Sequence, residues 1–502
     1  MKYIGITTGP IFKTIKEAIS PTGLWYASKF FSEVTKTLCE HIVYHCPKAI
    51  IFSPYFLEVE TQDDGIGKYH DRILFTSPNI EITVLDEIVE KTKSKMVSYL
   101  TVFKDVDTAQ IENFLSDYLQ ISFCIFDEKE LDGKNIILTL NKSLDALELM
   151  ATSKIAEDIN YFERLFVGED KKRNIYVQSS LLYQQIAKNE NFLWQEGKGH
   201  FRSITDIARG DTEHSLPYFT VVNSDGDKFG RLLTRICQED DENILPLEQQ
   251  VDRICQFSKA CLNYAKRAAQ MINNRGGMTI YAGGDDLLFL SPVKPVLSIC
   301  QELQQIFWTV FTDNPIFSEK LLKELEVSLS FGISIHYEKF PLYEAIEESI
   351  QLMYKAKNHG GNQIKVNITK HSGQAITLSI TNNSLKHLIQ FINVSHLSDE
   401  ILQSLAYKIN NLSTLFYTIF EQTLIQKWSD KTFVNIFCNY FDNHDQLDFR
   451  EYLENVLLMY YHYYLTNDMK LGESIDKQLI EGHVNNLQSI LSIIKFWNAS
   501  QE

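Results

Sequence analysis

Two adjacent carboxylates at the tip of a tight apolar hairpin restrict what this chain can be more than any other feature. Residues 281–290 read YAGGDDLLFL. The flanks, 278–282 and 287–290, are short, apolar and partly β-branched or aromatic, and Gly283-Gly284 supplies a two-strand connection in which glycine also lets a bulky ligand approach the backbone. Asp285 and Asp286 cannot be core residues there unless something offsets their charge, because an unpaired buried carboxylate is prohibitively costly. A divalent cation is the natural counter-charge. An isolated GGDD is equally well explained as a solvated turn, so the surrounding sequence must decide.

Upstream, YFTVVNSDGDKFGRLL carries an apolar strand, 218–222, into Asp225-Gly226-Asp227 and then into a helical pattern. Asp225 at the end of one strand and Asp285 at the tip of a neighbouring hairpin converge on one ion pair, with hard oxygen ligands and positions left open for water and phosphate oxygens, as two-metal phosphoryl transfer requires. Downstream, VSLSFGISIHYE is another strand-like run, followed by an amphipathic helix over 342–357 that ends in YKAKNHGGNQIKV. Lys355 or Lys357, just before the Gly360-Gly361 break, is placed to meet a triphosphate as a point charge, although a helix C-terminus favours cations in any protein.

The ordered set DGDKFG, GGDD, SFGISI and YKAKNHGGNQI resembles the nucleotide-cyclase palm of diguanylate cyclases and of the polymerase subunit of type III CRISPR effector complexes. The resemblance covers roughly 218–366. It implies a ferredoxin-like fold that joins nucleoside triphosphates with two metal ions, magnesium or manganese. A diguanylate cyclase would carry phenylalanine after the acids, whereas this chain has Leu287. MKYIGITTGPIFKTI resembles the first strand and turn of the same palm without its acids, and the pair AIIFSPYF and DRILFTSP resembles its hairpin with a longer insertion. The expectation is therefore an α+β protein with two ferredoxin-like palms, the N-terminal one non-catalytic, of the kind found in the large subunit of type III-B complexes. TGLWYASKFFSEVTKTL, FRSITDIA and a helical C-terminus extend that likeness. Many such subunits begin with an HD nuclease domain; here the palm strand starts at Tyr3, and His70-Asp71 lacks the additional His and Asp residues of a metal-dependent nuclease, so no DNase activity is expected.

On this resemblance Asp225, Asp285 and Asp286 are the catalytic acids and, with the Gly226 carbonyl, hold the two ions. Asp227, Lys228, Phe229, Gly230, Gly283, Gly284 and Lys357 bind the nucleotide, the Lys228–Gly230 backbone offering N–H donors to phosphate and Lys357 neutralising the pyrophosphate. ATP is the expected donor, and the acceptor comes from the other palm. In most relatives the acceptor is a second ATP, giving cyclic oligoadenylate; a subset without the HD domain resembles enzymes that join ATP to S-adenosylmethionine. Asp71 precedes an apolar strand, and Glu148 is the only charge in the stripe Leu144, Glu148, Ala151, Ile155 and Ile159. Acids there repel a triphosphate and suit a sulfonium and an ammonium. The competing reading pairs Asp71 with Arg72 or another cation and lets Glu148 reach solvent. The missing HD domain tips the expectation towards the S-adenosylmethionine conjugate, with cyclic oligoadenylate synthesis as the alternative and a stand-alone diguanylate cyclase or an inactive platform behind it.

At 502 residues the chain has material for several compact regions. Its formal charge of −17 disfavours binding nucleic acid over the whole surface and suits a subunit docked mainly by protein contacts on an assembly with CRISPR RNA and target RNA. No run is long enough for a transmembrane helix and no signal-peptide pattern is present, so a cytoplasmic location without membrane contact is expected. Eight cysteines, none in a CxxC pair, fit reduced thiols. Cys39, His41, His45 and Cys46 read as an ordinary helix end before Pro47 rather than as a zinc site. The expected map is a first palm over 1–141, a helical connector over 142–203, a catalytic palm over 204–369 and a helical bundle over 370–502, where runs such as LLMYYHYYL are core.

Overall fold

The computed structural model describes residues 1–56, 65–150, 160–167, 175–187, 203–210, 216–239, 243–393, 407, 411–440, 447–471 and 476–498. Its framework is one topology used twice. In the N-terminal half, β1 (Lys2–Gly9), β2 (Ile50–Ser53), β3 (Arg72–Ser77) and β4 (Gln120–Asp127) form a sheet in the order β2-β3-β1-β4. The helix Pro21–His45 connects β1 to β2, and the helices Ile82–Leu100 and Thr108–Tyr118 connect β3 to β4. In the second half, β5 (Tyr218–Asp227), β6 (Met278–Gly283), β7 (Asp286–Pro292) and β8 (Ser328–Tyr337) repeat that order, and β9 (Gln363–Thr369) and β10 (Ala375–Thr381) extend the sheet to β10-β9-β8-β5-β7-β6. Both are ferredoxin-like βαββαβ units, so the fold is the expected double palm.

Local sequence explains each element. β1 is buried along nearly its whole length because both faces are covered. Gly5 faces the helix Ile136–Met150, where an added Cβ would meet Leu144 at 3.1 Å, and Ile4 and Ile6 take the other face by strand alternation. The helix Pro21–His45 starts on a Ser20 side chain that accepts from the Gly23 N–H, with Pro21 in its first turn. Its buried residues include Trp25, Tyr26 and an i,i+4 pair, Lys29–Glu33, at 2.9 Å. This helix also joins the halves: a Cβ on Gly67 would lie 2.5 Å from Ser28 Oγ, and Gly67 accepts at 2.9 Å from the Ala282 N–H on β6. The first palm is thus clamped onto the strand that leads into the GGDD turn.

Two expected boundaries move. The helix Ile136–Met150 packs on the first sheet, and Phe162 beyond it stacks among Phe30, Phe114 and Tyr118, so the described part of the connector belongs with the first palm. The stretch after 370 does not start as helix: β10 alternates buried Ile376, Leu378 and Ile380 with outward polar residues, a period of two rather than 3.6. The described remainder is mainly helical and includes Asn382–Ile392, Ser413–Gln426, Asp430–Cys438, Leu447–Tyr460 and Lys477–Asn498. Tyr460 is buried there against His483 and Phe420. No helix among the described residues is long and apolar enough to cross a membrane.

The helix Leu342–Asn358 lies so close to β8 that a Cβ on Gly332 would fall 2.0 Å from the Ser349 carbonyl oxygen and 2.3 Å from the Met353 nitrogen. Gly332→Ala is expected to cost about 3 kcal/mol by urea denaturation, at the upper end of overpacking penalties, because backbone rather than a flexible side chain must move. Gly230→Ala meets no atom within 4 Å and is expected to leave stability unchanged or slightly raised.

Candidate functional site

Asp225 lies on β5, the second sheet's central strand, two residues before its end, and Asp285 and Asp286 come from the β6–β7 turn beside it. Gly283 pairs with Asp286, leaving Gly284 and Asp285 as the loop; Gly284 has a φ of 67°, which only glycine adopts freely at the first position of such a turn. Gly226 is required for a different reason: a Cβ there would sit 2.9 Å from Asp285 Oδ2 and 2.8 Å from the Phe229 ring. One carboxylate oxygen of each of Asp225, Asp285 and Asp286 lies within 4.8 Å of the others. Among the described residues this is the only such grouping of three or more acids, histidines and cysteines. Cys39 and Cys46 are buried in or beside their helix, and His41 is occupied by Thr92, as an ordinary helix end requires.

Crowding of the acids destabilises the ionised forms of Asp285 and Asp286. Burial, then the charge of Asp225, pushes the Asp285 carboxyl up to about 7, and Asp286, the most exposed of the three, is raised as well, by desolvation and then by Asp285. Among the described residues Lys357 supplies the direct counter-charge, with its ammonium on Asp225 Oδ2. Burial works against that ammonium, but Asp225, Asp285 and Asp286 outweigh it and hold it above its ordinary value. Lys355 is exposed. The helix Leu342–Asn358 delivers Lys357 to this point because of its close seat on β8 and a 2.6 Å hydrogen bond from Asn223 Nδ2 to Ser349 Oγ. The clustered hard oxygen donors fit divalent ions of the magnesium or manganese type, for which Lys357 is a stand-in charge.

The other expected nucleotide residues divide. Gly230 is open, and Lys228 adopts a left-handed backbone, φ 63°, at the start of the helix Phe229–Ile236. Phe229 is a core residue, packed on Phe257, Phe307 and Phe311. Asp227 is a correction. It is buried, accepts from Ser328 Oγ at 2.6 Å and Ser330 Oγ at 2.8 Å, and takes the Asn362 N–H at 2.7 Å, so its carboxylate fastens the turn after Lys357 rather than facing a nucleotide. Ser328 and Ser330 were legible as partners only through their i,i+2 spacing in VSLSFG, which puts both on one strand face.

A cavity of about 380 Å³ opens beside the acids and is shared by both palms. Asp285, Asp286, Gly283, Gly284 and Tyr281 line one side, with Leu233, Phe257 and Ser258 from the helices behind; Tyr55, Lys68, His70 and Asp71 line the other. His70 lies against the turn, with its Cδ2 3.9 Å from where a Gly284 Cβ would be. Burial, then Arg72, lowers its imidazole to about 4, so it is neutral near pH 7. Burial raises the Asp71 carboxyl above its ordinary value, with Arg72 opposing and Glu148 reinforcing that shift. Glu148 is the second correction: it does not line this cavity. It accepts from Thr7 Oγ1 at 2.6 Å and from Arg72 Nε at 3.1 Å, one turn beyond the buried Leu144. Ala151, Ile155 and Ile159, the rest of the expected stripe, lie outside the described residues.

These features define a double-palm protein whose second palm carries a nucleotide-cyclase-like or polymerase-like site. Residues 218–365 match the family Cas10/Cmr2, second palm domain. The CRISPR system Cmr subunit Cmr2 of Pyrococcus furiosus is 26% identical over 231 residues, which are 41% of this chain and 26% of that protein; the chain thus spans about a quarter of this curated relative. In fold, a Csm1-Csm4 cassette in complex with cA4 aligns with 99% of this chain and 69% of its own at a TM-score of 0.55 and 12% identity. A type III-B Cmr-beta complex in its apo state aligns with 93% and 82% at 0.56 and 11%. The chain is Cas10-like, similar to the large subunit of type III CRISPR effectors.

The raised carboxyl of Asp285 sets a pH dependence. A folded-state value near 7 against an ordinary 3.8 means that the ion-free chain loses stability as pH rises through that interval. Divalent ions compete with the same protons, so manganese is expected to raise the melting temperature more at pH 8 than at pH 6. Asp285→Asn is expected to raise the ion-free melting temperature at pH 8 and to abolish most of the manganese response; an equal response in variant and wild type contradicts the assignment.

Proposed function

We propose that this chain is a metal-dependent nucleotidyltransferase that joins ATP to S-adenosylmethionine with release of pyrophosphate, as a subunit of a type III-B CRISPR complex with guide and target RNA. The observation that carries the reading is the single cavity with Asp285 and Asp286 on one wall and Asp71 on the other. A two-substrate transfer needs both reactants in one enclosure, and the acid on the non-catalytic wall favours a cationic acceptor over a second triphosphate.

In this reading Asp225, Asp285 and Asp286 hold two divalent ions, which when bound supply charge neutralisation for the phosphates. Lys357, free to leave Asp225 once the acids are otherwise compensated, meets the pyrophosphate oxygens as they gain charge. Gly283 and Gly284 leave room beside the turn for the nucleotide, and Gly230 and the Lys228 turn leave room at the helix start. Leu233, Phe257 and Ser258 border the cavity where a base would lie. Asp71, fixed by its carbonyl, which accepts from the Thr8 N–H at 2.9 Å, faces the sulfonium and ammonium of the acceptor. Neutral His70 adds no charge that would oppose it.

Mass spectrometry of products from the chain assembled with guide and target RNA, given manganese, ATP and S-adenosylmethionine, tests this reading. A mass equal to AMP joined to S-adenosylmethionine is expected, lost in Asp285→Ala and reduced on the order of tenfold in Asp71→Asn, one tenfold being the worth of about 1.4 kcal/mol. Adenylate oligomers alone, unaffected by S-adenosylmethionine or by Asp71→Asn, contradict the conjugating reading and indicate a second ATP as acceptor.

A further inference from the structure

Asp71 and Arg72 are neighbours on the chain, yet the guanidinium is spent elsewhere. Asp71 lies in the bend just before β3, whose first residue is Arg72. Arg72 turns to the helix Ile136–Met150, where Nε donates to Glu148 Oε1 at 3.1 Å, a terminal nitrogen donates to Glu148 Oε2 at 3.0 Å, and the same nitrogen donates to Asp145 Oδ1 at 2.6 Å. This is a two-point fork on Glu148 reinforced by a second acid. Glu148 is itself held, because Thr7 Oγ1 on the adjoining strand donates to it at 2.6 Å. Thr7 and Arg72 are direct partners in the β1–β3 ladder, so the anchor is built into the sheet register. Arg72 nonetheless borders the cavity, within electrostatic reach of Asp71.

We infer that Glu148 and Asp145 act as positioning residues which restrain Arg72 and so keep its guanidinium from pairing directly with the Asp71 carboxylate on the acceptor wall. The inference rests on the acceptor reading above and deepens it: acceptor selectivity is set by where one guanidinium is tied, and Glu148 contributes without touching the acceptor. An arginine released from Glu148 has a carboxylate one residue away, and pairing with it would neutralise the Asp71 charge at the acceptor. The acceptor class is then a compact cation. A triphosphate is disfavoured while the fork is closed and less so once it opens.

The test compares binding of S-adenosylmethionine with that of S-adenosylhomocysteine, which lacks the S-methyl group and its sulfonium charge but keeps the ammonium and the rest of the molecule, by calorimetry on the full chain. Wild type is expected to prefer the cation on the order of tenfold, as a nearby unscreened charge allows. Asp71→Asn removes the preference. Glu148→Gln is expected to remove it as well, and Arg72→Gln in the Glu148→Gln background to restore it, whereas a merely structural role for Glu148 would weaken both ligands equally and leave the ratio intact. A ratio unchanged in Glu148→Gln, or one lost and not restored in the double variant, overturns the inference. A crystal structure of Glu148→Gln reads the same point without ligand. Arg72 moved onto Asp71 supports the inference and Arg72 unmoved overturns it, even if wild type shows no preference for the cation and the acceptor reading itself fails.

Discussion

The site depends on a repulsion that the fold does not relieve by itself. Asp225, Asp285 and Asp286 bring oxygens within 4.8 Å of one another, and among the described residues Lys357 answers them. A chain folding for stability alone would replace such a group, because clustered desolvated acids cost more than an apolar surface of the same shape. Their convergence at the junction of a central strand and a glycine turn is the physical argument for added positive charge, and the rest of the second palm serves that point. Gly226 admits Asp285, Gly332 admits the lysine-bearing helix, and Asp227 ties the turn beyond Lys357 to β8.

The first palm is more than a spacer. It repeats the strand order of the second without its acids, and it is joined to β6 by the Gly67 backbone and the helix Pro21–His45. That contact places the 68–72 segment opposite the GGDD turn and makes the cavity a property of the pair. The chemistry of the two walls differs accordingly. On the catalytic wall, acids cluster and compete for cations; on the other, Asp71 stands beside Lys68 while Arg72 is tied to the neighbouring helix.

Much of this was readable in the residues. The GGDD hairpin and the DGD strand announced themselves because turns and strand runs leave local signatures, whereas the lysine before Gly360-Gly361 and the double palm were read from the resemblance of ordered motifs to a known palm. What escaped was set by tertiary contact. Asp227 looked like Asp225 in sequence, and only the two serines of β8 make it structural. Glu148 was a lone charge in an apolar stripe, and its partner Arg72 comes from a strand far away in sequence. β10 was lost in a leucine-rich stretch because seven alternating residues are a weak signal beside long helices.

The central claim is that one cavity takes a different substrate on each wall. A crystal structure of the chain with manganese, a non-hydrolysable ATP analogue and S-adenosylmethionine tests it most directly. The account predicts the triphosphate beside Asp225, Asp285 and Lys357, and the sulfonium within about 4–6 Å of Asp71, the range over which an opposite charge is felt strongly. A second triphosphate seated against Asp71, with S-adenosylmethionine absent from the cavity, would contradict it.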